Sequence, residues 1–130
     1  MFMPIADPSI SLEENTRNAI KQNQILESFP EVAYAVCDRI GLAPKDIGML
    51  VTNQPNRVFL RNWREALELP AERHRDTFDE CGNLFAAGVP VNLDRAITDG
   101  QVGKGDVVMM AGFAHAGDFA GAAAVRWGGR

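Results

Sequence analysis

Three places in the sequence combine chemically useful residue types with positions a fold could exploit: Asn53, Asn83 and the segment Gly112-Phe113-Ala114-His115-Ala116-Gly117-Asp118. A carboxamide can donate a hydrogen bond to a developing oxyanion, but it cannot take up a proton near neutral pH. A histidine can do both, and a nearby carboxylate can orient it, a pairing that His115 and Asp118 could supply. Taken singly, each asparagine reads as a cap. Together the three places fall at strand ends or helix starts, where α/β folds assemble their sites.

Other chemistries fit less well. Gly100-Gln-Val-Gly-Lys104-Gly-Asp106 has the wrong glycine spacing for a phosphate loop, and Lys104 is followed by Gly105 instead of Ser or Thr. It reads as a tight turn before a strand. His74, His115, Cys37 and Cys81 show no ligand spacing, so no metal site is expected. Cys37 falls within an amphipathic helix and should be buried, whereas Cys81 should precede a helix N-terminus. Arg57, Arg61, Arg64, Arg73 and Arg75 form a basic cluster in an acidic chain. Such a patch suits an acidic protein or a phosphate-bearing ligand better than DNA.

The elements that must position these residues follow from periodicity. Ser11-x-x-Glu14 is a capping box for a helix from about Leu12 to Leu26. Pro30 opens a second helix with Val32, Ala35, Val36 and Ile40 on one face, capped by Gly41. Ile47 to Thr52 reads as a buried strand. Asn53 then caps a helix that has Pro55 in its first turn and Phe59, Trp63 and Leu67 on its apolar stripe, ending at Pro70. Gly82-Asn83 opens a further helix running to Gly100, bent by Pro90. Asp106 to Gly112 is a strand, Phe113 to Asp118 a loop, and Ala120 to Trp127 a final strand. The order predicts an α/β layered fold.

With 130 residues, 46% apolar and 23% charged, the chain has the make-up of an ordinary globular domain. A net charge of -4 argues against nucleic acid as a partner, and no apolar run is long enough to span a membrane. Two cysteines are too few for a disulfide framework, so a reducing cytoplasm is the expected compartment.

Read in order, these segments resemble a known family. Asn53-Gln54-Pro55-Asn56-Arg57, then Glu80-Cys81-Gly82-Asn83 through Pro90 to Leu93, then Gly105-Asp106-Val107-Val108 to Gly112-Phe113, ending Gly121 to Trp127, are similar to the C-terminal half of β-ketoacyl-acyl-carrier-protein synthase III. That family comprises condensing enzymes of the thiolase superfamily. The likeness covers about residues 30–127, with residues 1–29 as a separate N-terminal loop and helix segment. It implies the three-layer α/β/α half of a thiolase-like fold with a mixed sheet.

The resemblance implies further expectations. The family's chain has two similar halves, with a nucleophilic cysteine in the N-terminal one and a catalytic His and Asn in the C-terminal one. Here the Asn of the Gly-Asn motif is Asn83, and the His position is occupied by Asn53. Neither Cys37 nor Cys81 matches the nucleophile. Asn53 could still donate to an oxyanion, but it could neither be protonated nor pair with a thiolate. Decarboxylative condensation is therefore not expected, whereas acyl transfer is retained if a base comes from elsewhere, with His115 and Asp118 as candidates. Gly112, Phe113 and Gly117 stand where the family has a turn that lines the active site. Arg57, Arg61 and Arg64 would receive an acyl carrier protein or coenzyme A. No bound cofactor is implied; the substrate would be a coenzyme A or phosphopantetheine thioester. The partners implied are an N-terminal synthase III-like half and an acyl carrier protein, so the chain is expected in a homo- or hetero-oligomer. The competing expectations are a catalytically silent dimerisation or docking module, and a fragment with no activity of its own.

Overall fold

The computed structural model describes residues 6–114 and 118–129. Its elements are α1 (Leu12–Ile40), β1 (Met49–Thr52), α2 (Arg57–Ala66), β2 (His74–Arg75), α3 (Phe78–Cys81), α4 (Gly88–Thr98), β3 (Val107–Ala114) and β4 (Phe119–Arg126).

Ser11 caps α1 by accepting from the Glu14 N–H, and Gly41 ends it in the left-handed region with φ of 67°. The two helices expected on either side of Pro30 are instead one. Pro30 removes an internal hydrogen bond, but Ile25, Phe29, Ala33 and Cys37 form a continuous buried stripe across it. Packing along that stripe outweighs the local penalty. Phe29 is wholly buried and stacks on Trp63 of α2 with ring centroids 4.3 Å apart.

β1 is the short buried strand that the apolar run predicts, with all four residues inaccessible. It pairs in parallel with β3 and also with β2, a two-residue strand not foreseen in the Arg73-His74-Arg75 segment. β4 runs antiparallel to β3, giving a mixed sheet in the order β2-β1-β3-β4.

The sheet carries a core on each face. Phe29, Cys37, Leu50, Phe59, Trp63, Leu67 and Met109 fill the side covered by α1 and α2. Met49, Val51, Ala96, Val102 and Val108 fill the side covered by α4. These are the three α/β/α layers expected from the resemblance. The cover is uneven. Ala122 and Ala124 of β4 pack toward the α1 side, while Phe119, Gly121, Ala123 and Val125, alternating with them, are exposed on the other.

Several element boundaries differ from expectation. The cap of α2 is Asn56, whose Oδ1 accepts from the Phe59 N–H at 2.9 Å, so Asn53 and Pro55 lie outside the helix. Gly82-Asn83 does not open a helix. Gly82 has φ of 63° and ψ of -148°, a conformation only glycine adopts readily, and α4 begins at Gly88. Pro90 therefore sits in the first turn, where its missing N–H costs nothing. Cys81 ends α3 instead of preceding a helix. Cys37 is buried as expected, and burial pushes its thiol pKa up. The Gly100–Asp106 segment is a turn, with Gly100 and Gly105 at positive φ.

Candidate active site

Asn53 follows β1 directly, where two glycines hold it. A Cβ on Gly88 would lie 3.1 Å from the Asn53 Cα, so a side chain there would push the start of α4 and Asn53 slightly apart. A Cβ on Gly112 would lie 3.2 Å from Asn53 Oδ1. Among the described residues that Oδ1 is buried without a hydrogen-bond partner, an arrangement that generally costs free energy.

Asn83 lies in the turn between α3 and α4. Its Oδ1 accepts from the Phe85 N–H at 2.9 Å, which leaves the Nδ2 end of the carboxamide as its donor. Asn53 and Asn83 line one cavity of about 840 Å³, together with Phe85, Val89, Gly112, Phe113 and Phe119. Among the described residues the lining is mostly apolar, with the two carboxamides as its polar side chains. Phe85 and Phe119 stand at its rim, 76% and 66% exposed.

Gln54 turns the other way, into the protein. It is wholly buried and joins a polar network that sequence reading did not identify, although Gln54 itself stands within the Asn53–Asn56 motif. Its Oε1 accepts from the Thr77 N–H at 3.0 Å and from Asn92 Nδ2 at 2.9 Å. Its Nε2 donates to Thr77 Oγ1 at 3.1 Å and to the Gly82 carbonyl at 2.7 Å. Thr77 donates on to Asn92 Oδ1, and Asn92 Nδ2 reaches the Thr52 carbonyl. Thr52 Oγ1 lies 3.0 Å from Nε2 of His74, whose burial lowers its pKa to about 4, aided by the nearby Arg64 charge.

The remaining expected site residues are placed differently. Gly112 and Phe113 belong to β3, in register with Gly121 and Ala120, so their backbone sits in a ladder and not in an open turn. Both still line the cavity. Phe113 also meets Trp63 edge-on, which ties the cavity wall to the core. His115 and Gly117 lie outside the described residues. Asp118 Oδ1 pairs with Lys21 Nζ at 3.1 Å and accepts from Gln24 Nε2 at 3.4 Å, so its carboxylate is drawn toward α1.

The arginines do not form one free patch. Arg57 pairs with Asp79 and lies over the Phe78 ring at 5.8 Å. Arg61 has Glu65 at 3.8 Å along the same helix. Arg75 pairs with Asp99 at 2.8 Å, and Arg73 donates to the Lys45 carbonyl. Among the described residues there is no group of His, Cys, Asp and Glu that could hold a metal ion, and no helix is long and apolar enough to cross a membrane.

A mixed sheet between helices, with carboxamides from a strand end and a helix-entry turn facing one apolar cavity, defines a thiolase-like α/β domain. Residues 37–127 match the model of the 3-oxoacyl-[acyl-carrier-protein (ACP)] synthase III C-terminal family, and the chain belongs to that family. It is 38% identical over 98 residues to the beta-ketoacyl-[acyl-carrier-protein] synthase III of Bacillus pumilus, covering 75% of this chain and 31% of that protein. To the same enzyme of Rhodospirillum centenum it is 42% identical over 88 residues, covering 67% of this chain and 27% of that one. The crystal structure of the synthase III from Thermus thermophilus superposes with a TM-score of 0.78 at 26% identity, over all of this chain and 41% of that one. The Pseudomonas aeruginosa structure gives 0.77 at 26% identity, over 98% of this chain and 41% of its own. The chain thus spans about a third of the length of the curated relatives it matches.

Proposed function

We propose that this chain is the C-terminal part of an acyltransferase of the synthase III type, acting on acyl thioesters of coenzyme A or of an acyl carrier protein and completed by a cysteine-bearing half. The observation that carries this reading is the meeting of Asn53 and Asn83 in one apolar cavity. Two carboxamides there can donate hydrogen bonds to a thioester oxygen, and apolar walls strengthen such bonds by excluding water. The small lining residues Gly112 and Gly121 leave room for an extended thioester arm.

The reaction supported is transfer of the acyl group, not carbon–carbon bond formation by decarboxylation. Asn53 keeps a donor where the resemblance implies histidine, but it cannot be an imidazolium paired with a thiolate. The Cys-bearing half would lie on the exposed face of β4, where Phe119, Gly121, Ala123 and Val125 make an uncharged, exposed stripe. Asp79 and Glu65 offset Arg57 and Arg61, so carrier-protein docking on α2 would require exchanging those ion pairs for acidic residues of the carrier.

The same Asn53 favours a second reading, a module that binds the other half or the carrier without turnover. The two readings separate when the chain is mixed with a synthase III N-terminal half and an acylated carrier protein. Transfer of the acyl group, followed by mass spectrometry and lost in Asn83→Ala, supports the enzyme. Stable association without transfer supports the silent module, and the absence of association overturns both.

A further inference from the structure

The two cavity asparagines come from separate segments, and neither belongs to a helix or strand that would fix its direction. Asn53 follows the end of β1 and Asn83 sits in an exposed turn. That turn carries strain at Phe85, which has a side chain and φ of 53°, a few residues after Gly82 at φ of 63°. A turn with left-handed residues on both sides of Asn83 needs an outside hold.

Gln54 supplies one. It is the neighbour of Asn53, and its Nε2 donates at 2.7 Å to the carbonyl of Gly82, the peptide group that joins Gly82 to Asn83. Fixing that peptide plane sets the direction in which the Asn83 backbone leaves it. The Asn83 carboxamide then holds the strained Phe85 by accepting from its N–H. At its other end Gln54 is locked by Thr77 and Asn92, so all four of its hydrogen-bonding positions are used and the carboxamide cannot rotate. We propose that Gln54 is the positioning residue that sets the Asn83 carboxamide relative to Asn53, acting through the Gly82 carbonyl. The functional meaning of that placement rests on the acyl-thioester reading above; the placement itself does not.

The test is by NMR on the 15N-labelled chain. Gln54→Met removes the hold with little change of volume, and Gln54→Glu keeps the acceptor but turns an oxygen toward the Gly82 carbonyl. In both, the Asn83 side-chain amide signals should shift away from their wild-type positions and exchange of the Phe85 amide should speed up at least tenfold. Thr52→Val cuts the far end of the same network, at the bond to His74, and should lower thermal stability while leaving the Asn83 and Phe85 signals in place. Wild-type signals at Asn83 and Phe85 in the two Gln54 variants, or an equal change in Thr52→Val, would overturn the proposal. Should the variants not fold, the unaltered chain decides: the Gln54 side-chain amide and the Phe85 amide should exchange with a common opening rate, and independent rates would refute the coupling. A turn that loosens as expected, in a chain that transfers no acyl group when completed, would count against the function and not against the positioning.

Discussion

His74 shows how a single residue acquires a property from its surroundings. It is 3% exposed, bonded to Thr52, and holds its proton poorly because a buried imidazolium is badly solvated. Its pKa is near 4 in the fold against 6.5 when free, so the unfolded chain binds the proton more tightly. The stability from the neutral form is complete above pH about 6.5 and is lost as pH falls toward about 4, by on the order of 3 kcal/mol. Denaturant melts across that range should show the loss, and His74→Gln should flatten it. Asn53 obeys the same logic in reverse: its exchange for histidine would introduce a titrating group where the present chain has none.

At the scale of elements, the segment after β1 is organised by Asn56 and not by Asn53. The Asn56 carboxamide satisfies an otherwise unpaired N–H at the start of α2, and α2 carries Phe59, Leu60 and Trp63 into the core. Asn56→Ala should therefore cost about 1 kcal/mol of stability in a denaturant titration. Releasing Asn53 from capping duty is what frees it to face the cavity. The two asparagines share a motif and divide its work. The local pattern Asn-x-x-Asn allows either to be the cap, and the choice is made by where β1 ends and how closely Gly88 brings α4 to Asn53. In the same way, Pro30 reads locally as a helix start, yet it is absorbed into α1 because Phe29 and Ala33 are both wholly buried on either side of it.

For the molecule as a whole, the exposed face of β4 matters most. β4 has its α1-side residues in the core, while the stripe of Phe119, Gly121, Ala123 and Val125 is exposed. A charged side chain there should be harmless to the chain alone and disruptive to a covered assembly. Ala123→Arg should thus leave the thermal midpoint of the isolated chain nearly unchanged and abolish association with the cysteine-bearing half, measured by analytical ultracentrifugation. A large loss of stability in the chain alone would instead mean that this face is already packed.

Much of this protein can be read from residue order. The apolar runs at β1 and β3, the stripe of α2, the Gly41 cap and the two motif asparagines are local patterns, set by side-chain period and turn chemistry within a few residues. Gly-Asn and Asn-Gln-Pro-Asn could be singled out as chemistry because both stand at junctions. What they face could not. The convergence of Asn53 and Asn83 depends on parallel pairing of β1 with β3 and on the turn into α4, contacts between segments remote in sequence. The burial of His74, the network through Gln54 and Asn92, and the neutralisation of Arg57 by Asp79 are likewise properties of neighbours in space. Period and capping fix what a segment prefers; only packing decides which preferences survive and which polar atoms are left without partners.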